Sequence, residues 1–95
     1  MEEVMSESIE REVEIGNKYG LHARPATQFV EMANRYPCEV VLVKDGEEVN
    51  GKSVMGLMML GAECGARFRI RCTGESAAEC VEKLVGLVDS KFGEE

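Results

Sequence analysis

The sequence predicts an α+β fold: an open-faced β-sandwich in which a four-stranded antiparallel sheet carries three helices on one face, in the order βαββαβα. Two stretches, 9–15 and 66–72, alternate polar and apolar residues as half-buried strands do. Two others repeat their apolar residues at helical spacing, and an Asp45-Gly46 pair separates two runs rich in β-branched residues, the signature of a hairpin. A chain of 95 residues has room for one domain with a single core, and 44% hydrophobic against 31% charged residues is the balance of a folded chain despite a net charge of -7.

The order of elements follows from the chain itself. Residues 1–8 carry Glu2, Glu3 and Glu7 with no sustained period and are expected to form a disordered acidic tail ahead of a single domain over 9–92. In 9–15, Glu10, Glu12 and Glu14 fall on one side and Ile9, Val13 and Ile15 on the other; Arg11 shares the inner side and is expected to snorkel to water. Gly16 to Gly20 breaks the strand. Ala26, Phe29, Val30 and Ala33 then mark one face of a helix over about 23–35, with Pro25 in its first turn and Pro37 just past its end.

A strand over 38–44 leads through Asp45-Gly46 into a shorter one ending at Asn50. Ser53 is placed to cap a short helix, Val54–Leu60, which Gly61 closes. In 66–72, Ala66, Phe68, Ile70 and Cys72 point inward and Arg67, Arg69 and Arg71 outward. Those arginines and the glutamates of the first strand would share the exposed sheet face, so these two strands are expected to be neighbours. Ala77, Cys80, Val81, Leu84 and Val88 predict a last helix over about 76–91, with order ending at Gly93.

Several function classes are excluded at this level. An acidic chain lacks the cationic face that nonspecific nucleic-acid or anionic-membrane binding needs, so proteins are the expected partners. No apolar run approaches the roughly 20 residues that span a bilayer, and the acidic start has no signal-peptide pattern, so a cytoplasmic protein is expected. Cys38, Cys64, Cys72 and Cys80 are widely spaced without C-x-x-C, and a single histidine excludes a two-histidine zinc site. They are read as reduced thiols, with no metal and no cofactor expected.

The chemistry concentrates at His22, which precedes the first turn of a helix. That turn exposes unpaired backbone N–H groups, here those of Ala23 and Arg24, and the positive end of the helix dipole, a ready site for a phosphoryl dianion. The Arg24 side chain adds a fork suited to phosphate, and Pro25 fixes the backbone in advance. Neutral imidazole is a nucleophile that can take a phosphoryl group and pass it on.

Gly20-Leu21-His22-Ala23-Arg24-Pro25-Ala26 resembles the phosphohistidine motif of the HPr proteins of the bacterial phosphoenolpyruvate-dependent sugar phosphotransferase system. The run from Asn50 through Lys52-Ser53-Val54-Met55-Gly56 to Gly61 resembles the family's second motif, around its regulatory serine. The resemblance implies a phosphocarrier, a stoichiometric carrier and not an enzyme. It would receive a phosphoryl group from enzyme I on Nδ1 of His22, steadied by Arg24, and donate it to enzyme IIA components in sugar uptake and its regulation.

By the same resemblance Ser53 is the site of an HPr kinase/phosphorylase, with a transcription regulator as a further partner. Lys52, Val54, Met55 and Met58 would form the docking face, although Ser53 as a helix cap and Met58 as core each have a structural reason to be present. Glu31, Asn34 and Gly56 stand where family members often have lysine. An HPr-like regulatory module, controlled through Ser53 and without a transport role, is the alternative. A monomer is expected.

Overall fold

The computed structural model describes residues 8–94. The elements run β1 (Ser8–Glu14), α1 (Ala23–Ala33), β2 (Glu39–Lys44), β3 (Glu47–Asn50), α2 (Val54–Leu60), β4 (Arg67–Thr73) and α3 (Ala77–Asp89), followed by a 3₁₀ turn, Lys91–Gly93. This is the βαββαβα order read from the sequence, with a four-stranded antiparallel sheet in the order β1-β4-β2-β3. Of the tail expected over 1–8, residues 1–7 lie outside the described residues, whereas Ser8 opens β1 opposite Thr73. The ends of α1 and α3 fall two residues short of the predicted ones, where the chain turns out of the helix at Asn34 and Ser90.

β1 and β4 are neighbours, with Glu10 opposite Arg71, Glu12 opposite Arg69 and Glu14 opposite Arg67. The ion pairs run diagonally as well as straight across: Arg71 reaches Glu10 at 3.3 Å and Glu48 of β3 at 3.0 Å, and Arg67 meets Glu14 at 3.5 Å. All are exposed or half-exposed, so each adds at most about 1 kcal/mol and chiefly helps set strand order. Arg11 leaves the inner side of β1 by reaching over it to Glu82 of α3, at 3.1 Å. At the β2–β3 corner Asp45 and Gly46 both adopt positive φ, 53° and 81°, as a two-residue hairpin requires.

The apolar faces of sheet and helices close on one core. Val40, Leu42, Ile70 and Cys72 from the sheet meet Ala26 and Phe29 of α1, Leu57 of α2 and Cys80, Val81 and Leu84 of α3, all essentially without solvent contact. α1 packs against both α2 and α3, and α3 lies across β1 and β4. Ser53 caps α2 as the sequence indicates, its hydroxyl accepting from the Gly56 N–H at 3.1 Å. Ser53→Ala is expected to cost about 1 kcal/mol of stability in urea unfolding, the usual value of a serine cap.

Candidate functional site

The loop between β1 and α1 is built to present an imidazole. Gly20 takes φ +69, and on either side of it the chain is tied down: Leu21 N–H donates to the Ala62 carbonyl at 2.9 Å and His22 N–H to the Gly20 carbonyl at 2.9 Å. His22 is the N-cap of α1 with extended backbone, and its side chain makes no capping hydrogen bond. The first helical bond runs from Ala26 N–H to the His22 carbonyl at 3.0 Å. The N–H groups of Ala23 and Arg24 therefore have no helical acceptor, and Pro25 has no N–H to satisfy.

The ring itself is held from one side. Its Nε2 lies 3.1 Å and 3.3 Å from the two carboxylate oxygens of Glu94, while Nδ1 makes no hydrogen bond among the described residues. A carboxylate accepts, so this contact favours the tautomer with hydrogen on Nε2 and the lone pair on Nδ1. Glu94 is held in turn by Asn17, whose buried Nδ2 donates to Glu94 Oε1 at 3.1 Å and to the Gly20 carbonyl at 2.8 Å. Asn17 Oδ1 is buried without a partner among the described residues.

Glu94 arrives here because Phe92 is buried, pinning the 3₁₀ turn after α3 against the core. Order therefore continues past Gly93, where the sequence reading ended it. Replacing Glu94 by alanine is expected to raise the fraction of His22 with hydrogen on Nδ1, read from the ring ¹⁵N shifts. An unchanged tautomer ratio would remove Glu94 as a positioning residue.

Around the ring lies an open hollow of about 530 Å³ lined by Lys18, Tyr19, His22, Arg24, Gly93 and Glu94. Tyr19 stands edge-on to the imidazole, with ring centroids 6.3 Å apart at 84°, and Lys18 Nζ sits 5.4 Å from the Tyr19 ring centre. The exposed guanidinium of Arg24 makes no ion pair among the described residues, so it is not spent on a surface salt bridge. Two cations thus border a nucleophile that is 39% exposed at the start of a helix. The arrangement can receive a dianionic group on Nδ1.

The structure places His22, Ala23 and Arg24 together at the start of α1, as the sequence indicates; Asn17, Lys18 and Glu94 were not singled out there, and Tyr19 only as an unexplained difference from the family before the motif. A polar residue between Gly16 and Gly20 is the one signal that pointed to Asn17. Glu94 offered none, since it meets the ring from 72 positions away.

The second motif forms a separate surface on α2. Met55 is 69% exposed and Met58 45%, while Val54 is half-buried. Met59, 71% exposed, extends this surface and was missed; Leu57 faces the core. Lys52 differs from the expectation of a free docking cation: half-buried, it donates from Nζ to the Tyr36 carbonyl at 2.6 Å, tying the end of the α1 segment to the α2 segment. Among the described residues no helix is long and apolar enough to cross a membrane.

Comparison with known proteins shows the family and agrees with the fold. The family model described as "PTS HPr component phosphorylation site" matches residues 9–90. Phosphocarrier protein HPr of Pseudomonas aeruginosa is 44% identical over 84 residues, 87% of this chain and 93% of that protein. The HPr-like protein Crh of Bacillus subtilis is 43% identical over 83 residues, 87% of this chain and 98% of that protein. The crystal structure of HPr from Thermoanaerobacter tengcongensis superposes with a TM-score of 0.88 at 44% identity, covering 92% of this chain and 98% of that one. An HPr of the same organism has also been solved as a dimer (TM-score 0.74, 41% identity, covering 99% and 100%), so the monomer expected from small size and family resemblance is not carried forward. With its fold, its two motifs and its relatives in agreement over nearly the whole chain, this protein belongs to the HPr family of phosphocarriers, which carry phosphoryl groups and do not act as independent catalysts.

Proposed function

We propose that this chain accepts a phosphoryl group on Nδ1 of His22 from phosphorylated enzyme I and donates it to enzyme IIA components, serving sugar uptake and its regulation in the bacterial cytoplasm. The observation that carries the reading is the half-engaged ring: Nε2 is held by Glu94, while Nδ1, at the start of α1, has no hydrogen-bond partner among the described residues. Nε2 is a poor acceptor because it bears the hydrogen and has a carboxylate against it, which would repel an incoming dianion. At Nδ1 the lone pair attacks phosphorus as the bond to the donor breaks in line, and the same step in reverse sense delivers the group to the next protein. The Ala23 and Arg24 amides and the Arg24 guanidinium receive the negative charge.

Met55, Met58 and Met59, with Val54, fit the role of docking surface, since unbranched thioether side chains adapt to several partners. The related Crh, described as the catabolite repression HPr of Bacillus subtilis, favours a second reading, a regulatory module that signals through Ser53 to a transcription regulator after modification by an HPr kinase/phosphorylase. A phosphate on Ser53 would lie at a helix start, which tolerates it, so its effect falls on docking and not on folding. His22 in its presenting loop favours the relay.

Incubation with enzyme I and phosphoenolpyruvate, followed by intact-mass measurement, separates the two. One acid-labile phosphoryl group per chain supports the relay; modification that is acid-stable, needs ATP and a kinase, and disappears in Ser53→Ala, with none from enzyme I, supports the regulatory module. Arg24→Ala is expected to fold normally and to accept phosphoryl about tenfold more slowly, having lost one charged donor at an exposed site. Unchanged transfer kinetics would remove the guanidinium from the mechanism.

A further inference from the structure

Three cysteines far apart in the chain meet inside the protein, away from the histidine loop. Cys38 precedes β2, Cys72 lies in β4 and Cys80 in α3, and their sulfur atoms all lie within 4.8 Å of one another. None of them is in a disulfide. Cys72 and Cys80 have no solvent contact and Cys38 is 3% exposed. One buried cysteine is an ordinary small apolar residue. Three sulfurs converging from three elements are a preassembled set of soft donors.

Donor number and charge decide what such a set can hold. Calcium and magnesium take oxygen ligands and are excluded. Structural zinc takes four ligands, and no fourth His, Cys, Asp or Glu joins the three among the described residues. A monovalent soft ion on three thiolates would leave two uncompensated negative charges in the core, which is costly. With Cys72 and Cys80 without solvent contact and Cys38 3% exposed, the site disfavours any net negative charge. A trivalent centre bound to three thiolates is uncharged.

We propose that Cys38, Cys72 and Cys80 form a three-sulfur site for a trivalent thiophilic metalloid of the arsenic(III) type. Arsenous acid, As(OH)₃, would condense with the three thiols: three As–O bonds break, three As–S bonds form, and each S–H proton leaves with a hydroxyl as water. Three waters are released, arsenic stays in the +3 state, and no net charge is buried. Entry is from the Cys38 side, where an open groove of about 620 Å³ is lined by Pro37, Cys38, Glu39, Asn50 and Lys52. Loading draws the sulfurs together and staples the segment before β2 to β4 and α3.

The test uses the full chain carrying Cys64→Ser, which removes the exposed thiol. Reduced and titrated with arsenous acid without added thiols, it is expected to bind one arsenic per chain, with a mass gain of one arsenic atom less three hydrogens. Its thermal midpoint should rise, because the ligand binds the folded state. Adding Cys80→Ala, or Cys72→Ala, should weaken uptake by about tenfold or more, since the third bond is closed within the chain at high effective concentration. A thermal midpoint that falls would show that arsenic reaches the thiols only in the unfolded chain, and would overturn the proposal. So would no uptake, uptake unchanged in both alanine variants, or zinc(II) or copper(I) taken up one to one by folded protein that ignores arsenous acid.

Discussion

His22→Ala is expected to yield a folded protein that takes up no acid-labile phosphoryl group from enzyme I and phosphoenolpyruvate above background. In the proposed relay the imidazole supplies the nucleophilic lone pair, and no other histidine exists in the chain to replace it. Folding should survive, because the side chain makes no capping bond and is partly exposed, so its loss removes one contact with Glu94 and creates no cavity in the core. Circular dichroism and urea unfolding check the fold, and intact mass checks the phosphoryl group. If the variant were still labelled in acid-labile form, the acceptor would be elsewhere and the reading of the β1–α1 loop would fail.

Gly20→Ala should cause the largest loss of stability among changes near the site, about 2–4 kcal/mol, and should slow phosphoryl acceptance as well. Two costs combine. At φ +69 an alanine is strained by about 1 kcal/mol, and its Cβ would sit 2.5 Å from the Ala62 carbonyl oxygen and 2.8 Å from Glu63 Cα, both backbone atoms that cannot rotate aside. Relief requires the 17–22 loop to move off residues 62–63, which breaks the Leu21–Ala62 hydrogen bond and shifts His22 relative to Glu94. Gly61→Ala is the matched control: φ is +70, yet nothing lies within 4 Å of its added Cβ, so only the strain of about 1 kcal/mol is expected. Equal losses in the two variants would show that close backbone approach at Gly20 is not what shapes the loop.

The parts of this protein legible in its sequence are those governed by short-range period. Alternation in β1 and β4 gave their buried faces, and opposite charges on their outer faces correctly paired them, although they stand first and last among the strands. Helical spacing located α1 and α3, and Ser53 announced α2 through its cap. His22 and Arg24 were singled out because the start of a helix exposes unpaired backbone amides and a guanidinium there suits a phosphate, and the structure places both at the start of α1.

What stayed hidden depends on contacts between distant positions. Glu94 reads as one more acid near the end of an acidic chain, and only burial of Phe92 brings it to the ring. Lys52 looked like a surface cation until the Tyr36 carbonyl was found in its reach. The meeting of Cys38, Cys72 and Cys80 follows from β2 pairing with β4 and α3 covering it, which no spacing between cysteines encodes. Tyr19 was visible as an unusual residue before the motif, but its role as a wall beside the imidazole was not.

The most direct measurement is ¹⁵N NMR of the chain before and after phosphorylation by enzyme I and phosphoenolpyruvate. A phosphoryl group on Nδ1, with Nε2 keeping its hydrogen and the Ala23 and Arg24 amide resonances moving strongly as they donate to it, is the predicted result. Phosphorylation at Nε2, or phosphorylated His22 with both amides unmoved, would contradict a site in which Glu94 holds one face of the ring and the start of α1 receives the anion on the other.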